Sequence, residues 1–165
     1  MPTTPDIYSG ETGDGKFNII GDSNDERSRL LSNFSNTPLF LGNEYFASVE
    51  GFIQGIKYHG DCTERWRAFM SVGIRAKKMS PLVAQTFVWW QAKQIPYGGH
   101  DHAKLITKAL NNKFMQNKDC CDALIATGAL VLTHDTGMPE SPHTSLPSVV
   151  FCNFLTQLRK RLRKV

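Results

Sequence analysis

Glu50, Gln54 and Lys57 stand in the segment SVEGFIQGIKYH (48–59), which otherwise reads as core. A carboxylate and an amine in such surroundings are costly unless they are paired or used. At 100° per residue the three fall at about 0°, 40° and 340° on a helical wheel, so they form one stripe. Val49, Ile53 and Ile56 gather between roughly 240° and 300°, with Phe52 near 200°, and the polar stripe therefore borders the apolar face. Such a stripe either lines a cleft or is the ordinary solvated side of an amphipathic helix, and spacing leaves both open. If it lines a cleft, the chemistry is specific. A lysine attacks an electrophilic carbon only as the neutral amine, and a desolvated place beside Ile53 and Ile56 favours that form. Glu50 on the same stripe is placed to move protons.

Placing these residues requires a helix from about Ser48 to His59, with Ser48 as its cap. Before it, PLFLGNEYF (38–46) has the apolar-turn-apolar pattern of a hairpin around Gly42 and Asn43. FNII (17–20) reads as a short strand and GDSNDERSR (21–29) as a loop. The stretch 62–78 reads as helical, and SPLVAQTFVWWQAKQI predicts another helix opened by Ser80 and Pro81. HAKLITKALNNKFM repeats apolar residues at helical spacing, and KDCCDALIATG predicts a helix closed at Gly128. ALVLT reads as a second strand, 134–147 as a Pro-rich loop, and SVVFCNFLTQLRKRL as the last helix. The sum is an α+β class: a mainly helical single domain with a small β-sheet, spanning 16–165 after a flexible N-terminal segment, 1–15.

At 165 residues with 41% hydrophobic side chains, the chain has the size and composition of one ordinary domain with a sizeable core. No apolar run approaches the roughly 20 residues that cross a bilayer, and no signal-peptide pattern opens the chain; a cytoplasmic protein with no membrane partner is expected. Cys62, Cys120, Cys121 and Cys152 offer neither a metal knuckle nor a disulfide framework, and read as reduced, packed thiols. His100 and His102 in a Gly-rich loop lack companion ligands, so no metal and no cofactor is expected. The net charge is +4, yet Arg159, Lys160, Arg161, Arg163 and Lys164 crowd the last seven residues and leave the body near neutral. This basic helix end either complements the helix dipole or contacts nucleic-acid phosphates.

Several strings, in order, resemble the NADAR (YbiA-like) family: LSNF (31–34) with a proline four residues later, Tyr45, SVEGFIQGIKY, ALNNKFMQN followed by LIATG and a strand, and LTQLRKRL. The likeness runs from about residue 17 to 162. It implies a YbiA-like fold and an N-glycosidase acting on ADP-ribose-like or phosphoribosyl compounds. The family lysine, a Schiff-base nucleophile toward the anomeric carbon, falls on Lys57, and the family glutamate falls on Glu50. In that setting Glu50 would shuttle protons during ring opening and water addition, and Gln54 would bond a ribose hydroxyl. Ser32 and Asn33 would offer polar groups to ribose or base, and Phe34 would stack on a ring, although an asparagine there is also an ordinary turn residue.

Departures from the family pattern are as informative. Gly51 and Phe52 replace a His-Tyr pair, and Val88 and Trp89 replace a Gly-Arg step. Trp89, Trp90 or Tyr97 would then supply stacking, though adjacent tryptophans commonly divide between core and surface. HDTGMPESPHTSLPSVVF stands where the family has acidic W-G and N-x-L-G motifs, leaving Asp135 and His134 as a substitute polar wall. The expected activity is release of ADP-ribose from guanine in DNA, with Lys57 as nucleophile and Glu50 as acid/base, of use against an ADP-ribosylating toxin. A divergent version of this kind suits a phage or a bacterial defence island. Two alternatives stay open: a glycosidase of riboflavin-pathway intermediates, and a pocket that holds a nucleotide without cleaving it.

Overall fold

The computed structural model describes residues 6–164. Along it run β1 (Lys16–Asn18), α1 (Glu26–Leu31), β2 (Leu39–Leu41), β3 (Glu44–Phe46), α2 (Val49–Gly55), α3 (Thr63–Phe69), α4 (Gly73–Lys78), β4 (Phe87–Trp90), β5 (Lys93–Pro96), α5 (His100–Gln116), α6 (Lys118–Ala126), β6 (Val131–Thr133) and α7 (Ser148–Arg163). The class is α+β and mainly helical, as expected, and the strands pair off as three two-stranded pieces. Within this fold two compact units are distinguishable. One joins the two ends of the chain, up to Ser32 and from Lys118 onward; the other is the middle, Asn33–Asn117.

In the unit of the two ends, β1 lies parallel to β6 with Phe17 opposite Leu132. Phe17, Ile19, Leu31, Leu124, Phe151 and Leu155 are buried around this pair and the helices α1, α6 and α7. Asn18 organises the segment before β1. Its Nδ2 donates to the carbonyls of Ile7 and Asp135, both at 2.9 Å, while its Oδ1 accepts from Thr133 Oγ1 and the Asp135 N–H. The Asn24 N–H adds a bond to Tyr8 O at 2.7 Å. Residues 6–15, whose composition reads as loose, thus have backbone partners; residues 1–5 lie outside the described residues. The 21–29 loop is corrected to a loop followed by α1. Asp25 caps that helix by accepting from Arg27 N at 2.8 Å, and Ser28 is buried with its Oγ donating to Asn18 O. A six-residue helix with only Ser28 and Leu31 buried leaves almost no periodic trace in DERSR.

The middle unit begins with the expected β2–β3 hairpin, Leu39 opposite Phe46, turning at Gly42 with φ +60°. Ser48 then caps α2, accepting from Gly51 N at 3.0 Å and donating to Ser71 O at 2.8 Å. Gly51 and Gly55 share one face of α2, and α3 lies directly on it. A Cβ on Gly51 would sit 2.4 Å from Ala68 O, and one on Gly55 2.3 Å from the Phe69 ring. Only glycine allows that approach, so packing excludes a side chain at 51. The helix stops at Gly55, short of the expected His59, and Arg65 donates to the carbonyls of Gly55 and Tyr58 there. The expected helical stretch 62–78 breaks into α3 and α4, and Gly73 after the break adopts φ +63°.

The largest correction concerns SPLVAQTFVWWQAKQI. It is a loop and the antiparallel hairpin β4–β5, with Val88 opposite Ile95. Phe87, Val88, Trp89 and Trp90 favour a pleated strand with one face inward, and that packing outweighs the Ser-Pro start signal. The turn residues Gln91 and Ala92 both have positive φ, at 48° and 60°. This is the two-residue hairpin geometry that Asn-Gly normally announces, here built without either residue. Helix α5 follows the expected spacing, burying Leu105, Ile106, Ala109, Leu110 and Phe114. None of the four cysteines is in a disulfide.

Candidate active site

The polar stripe of α2 is held at both ends. At the start, Glu50 N donates to Asn33 O at 3.0 Å, tying the LSNF loop to the first turn. At the finish the chain tightens: Lys57 N bonds to Gln54 O at 3.2 Å and Tyr58 N to Gly55 O at 3.1 Å, three-residue closures that succeed the α-helix. Trp89 N then donates to Ile56 O at 2.7 Å, and the Tyr58 hydroxyl donates to Met79 O. These bonds bring strand β4 and the 79–81 segment beside Lys57.

Lys57 is half-buried, and its Nζ lies 3.5 Å from Ser80 Oγ and 5.9 Å from the centre of the Tyr97 ring. Among the described residues it forms no ion pair. Burial lowers its pKa below the usual lysine value; Lys77 pushes the same way and Glu50 opposes. Loss of hydration thus outweighs the nearby carboxylate and favours the neutral amine. Glu50 is buried, accepts from Gln54 Nε2 at 2.7 Å through Oε1, and has Lys77 Nζ 4.0 Å away. The arrangement sets a half-buried amine and a buried carboxylate on one stripe, with the carboxylate held by the Gln54 amide between them in sequence.

Three buried side-chain atoms of the described residues have no hydrogen-bond partner: Asn33 Oδ1, Gln54 Oε1 and His102 Nε2. Gln54 is 2% exposed and His102 1% exposed. His102 Nδ1 accepts from Gly98 N at 2.9 Å, which fixes the proton on Nε2 and leaves an unpartnered donor. Its ring lies 4.8 Å from that of Tyr97. Burial, with the charge of Lys57 adding to it, pushes the imidazole down to about 4. His102 is a neutral donor in the electrostatic reach of Lys57.

Lys57 opens into a cavity of about 580 Å³ whose wall includes His59, Lys78, Ser80, Gln85 and Trp89. No carboxylate lines it, and of the α2 stripe only Lys57 reaches it, Glu50 and Gln54 being buried and no part of its wall. The His59 and Trp89 rings are 5.1 Å apart and give it an aromatic side. Among the described residues, no three His, Cys, Asp or Glu side chains come together as a metal site would need.

Of the residues singled out in the sequence, Glu50, Gln54 and Lys57 come together on and just after α2, and Asn33 joins them through its backbone. Phe34 accepts from Gly73 N at 2.9 Å through its carbonyl. Trp89 lines the cavity, whereas Trp90 packs against Phe46 and Phe52 in the aromatic core. Ser32 and Asp135 belong to the other unit. Ser32 is buried with its N–H closing α1 onto Ser28 O, and the Asp135 carboxylate accepts from Gly137 N at 2.9 Å. His134 accompanies it there, with Nδ1 2.6 Å from Ile19 O. Lys77, Lys78, Ser80 and His102 are the additions that sequence reasoning missed. For His102 a signal existed: it stands three, four, seven and eight residues before Leu105, Ile106, Ala109 and Leu110, on the face that α5 buries.

The model of the family described as bacteriophage protein GP30.3 matches residues 27–160. A relative from Enterobacteria phage T4, described as an uncharacterized 17.1 kDa protein in the Gp30-rIII intergenic region, is 30% identical over 143 residues, covering 82% of this chain and 91% of its own. Among solved structures, the NMR structure of the E. coli protein YbiA matches with a TM-score of 0.58 at 17% identity, over 86% of this chain and 81% of that one. The likeness to YbiA is one of fold. No helix of the described residues is long and apolar enough to cross a membrane.

Proposed function

We propose that this chain, which belongs to the bacteriophage protein GP30.3 family, is an N-glycosidase that releases ADP-ribose from guanine in DNA through a covalent intermediate on Lys57. The observation that carries the reading is Lys57 itself: half-buried, without an ion pair among the described residues, shifted toward the neutral amine, and facing a cavity free of carboxylates. The resemblance of SVEGFIQGIKY to the NADAR motif supplies the substrate class, and the YbiA-like fold is compatible with it.

In the proposed reaction the Lys57 amine forms a bond to the anomeric carbon as the bond from that carbon to guanine breaks. A proton passes to the departing base. Ring opening, with the proton relayed to Glu50, the carboxylate whose charge reaches Lys57, gives a Schiff base; water adds to the same carbon, and ADP-ribose leaves with the amine restored. Gln54 fixes Glu50 through its amide N–H group. Turnover should rise with pH through an ionisation below the ordinary lysine value of 10.5.

The test is incubation of the protein with an oligonucleotide carrying ADP-ribosylated guanine, with release followed by mass and borohydride added to trap the imine. Release together with a trapped adduct on a peptide containing Lys57 is the expected result. Tight binding of intact substrate with no release would instead identify a nucleotide-holding module, and release without an adduct would remove Lys57 as nucleophile.

A further inference from the structure

Phosphate recognition is the part of substrate binding that the Lys57–Glu50 pair leaves without a residue. The run of cations at the C-terminus is the obvious candidate from sequence, yet much of it is committed locally. Arg159 is 6% exposed and donates to Thr127 Oγ1 at 2.8 Å, and Arg163 donates to Gly128 O. Helix α4 offers a different set. Its sequence GIRAKK places Arg75 and Lys78 three residues apart, neighbours on one face, and both are exposed. Neither makes an ion pair among the described residues. Lys78 lines the Lys57 cavity together with Ser80, while Lys77 turns toward Glu50 at 4.0 Å. A cavity whose wall includes the exposed Lys78, the Ser80 hydroxyl and the His59–Trp89 aromatic pair, with no carboxylate, is complementary to a phosphate attached to a ring system.

We infer that α4 is the phosphate-binding element of this site: Lys78 holds a phosphate group inside the cavity, and Arg75 extends the same cationic face outward from its mouth. The inference rests on the proposed substrate class for its setting but not on cleavage. Phosphate can come from two sources, the pyrophosphate of an ADP-ribosyl group or the backbone of a nucleic-acid strand. Lys78 serves either, and Arg75 serves a strand.

The experiment measures binding by the full chain, with no turnover required, using ADP-ribose and an unmodified single-stranded DNA oligonucleotide as separate probes at several salt concentrations. Lys78→Gln, Arg75→Gln and the double change Arg161→Gln/Lys164→Gln are compared with wild type; all four positions are exposed, so the fold is kept. Expected is a loss of about tenfold in ADP-ribose affinity for Lys78→Gln, and little change for Arg75→Gln or the C-terminal pair. If the strand is a source, Arg75→Gln lowers oligonucleotide affinity and reduces the salt slope by about one, the signature of one lost phosphate contact. Binding of ADP-ribose without the oligonucleotide supports the site with the pyrophosphate as its source. The inference is overturned if Lys78→Gln binds ADP-ribose like wild type, if wild type binds neither probe, or if the C-terminal pair has the larger effect. Binding that follows this pattern in a protein that releases no base would refute the glycosidase reading alone.

Discussion

Asn18 and Gln54 are both buried amides, 1% and 2% exposed, and the two units of the molecule treat them differently. In the unit of the two ends, Asn18 makes four hydrogen bonds through its side chain and joins the strand pair to the segment before it. In the middle unit Gln54 spends its NH₂ on Glu50 and leaves Oε1 empty, and Asn33 and His102 each leave a buried atom unpartnered as well. All three unpartnered atoms lie between 33 and 117, and each forfeits about 1–3 kcal/mol of stability. Buried polar groups are normally satisfied, so exceptions confined, among the described residues, to the unit that holds Lys57 mark the unit where we expect a ligand to supply missing bonds.

The strongest way to break that comparison is at Lys57. Lys57→Arg keeps a cation but removes the neutral amine, because a guanidinium stays protonated at ordinary pH. Release of ADP-ribose should fall by at least about 10³-fold, on the order of 4 kcal/mol in the barrier, while thermal melting moves little. Retained turnover would show that the unusual lysine of the middle unit is not its nucleophile.

A second contrast sets one glycine against another. Gly51→Ala would force a Cβ to 2.4 Å from the Ala68 carbonyl, with backbone on both sides and nowhere to yield. The expected loss is about 3 kcal/mol or more, read from denaturant unfolding. Gly128→Ala, in the other unit, meets no atom within 4 Å and suffers only its φ of +63°, a cost of about 1 kcal/mol. Equal losses would mean that α2 and α3 are less closely joined than their geometry shows.

His102 gives a pH-dependent version of the same test. Its imidazole is held near 4 in the folded protein against an ordinary 6.5. Between those values the unfolded chain binds a proton there that the folded chain excludes, so stability falls as pH falls through that window. Below pH 4 the full penalty is about 3 kcal/mol. His102→Gln should remove this part of the slope, measured as the difference between the two unfolding curves from pH 7 to 4. Identical slopes would mean that the imidazole gains its proton without unfolding.

These residues also show what the sequence discloses and why it stops. The α2 stripe, its Ser48 cap and the β2–β3 hairpin were legible because a period of 3.6, a capping side chain and a Gly-Asn turn are local signals. The β4–β5 hairpin was not: Gln91 and Ala92 take left-handed geometry with no residue that announces it, and Ser80-Pro81 imitates a helix start. The stripe of Glu50, Gln54 and Lys57 could be read from spacing, which left a cleft and a solvated face both open; only the resemblance to the NADAR motif favoured the cleft. Lys78 and Ser80 could not, since they reach the cavity only through the break after α3 and the bond from Trp89 to Ile56. Asp135 is suggested by its place where the resembling family has acidic motifs, and here its carboxylate accepts from Gly137 N.

The finest contrast returns to asparagines. Asn18→Ala removes four bonds and strands the Asp135 N–H and the carbonyls of Ile7 and Asp135, so a loss of about 2–3 kcal/mol is expected. Asn33→Ala removes an amide whose Oδ1 has no partner, and the Glu50 N–H keeps its bond to the Asn33 backbone carbonyl. Its effect on unfolding should stay below about 1 kcal/mol, while KM for the modified oligonucleotide rises about tenfold from the loss of one substrate hydrogen bond. If Asn33→Ala instead destabilises as much as Asn18→Ala and leaves KM alone, the unpartnered oxygen serves the fold, and the two units differ less than their hydrogen bonds indicate.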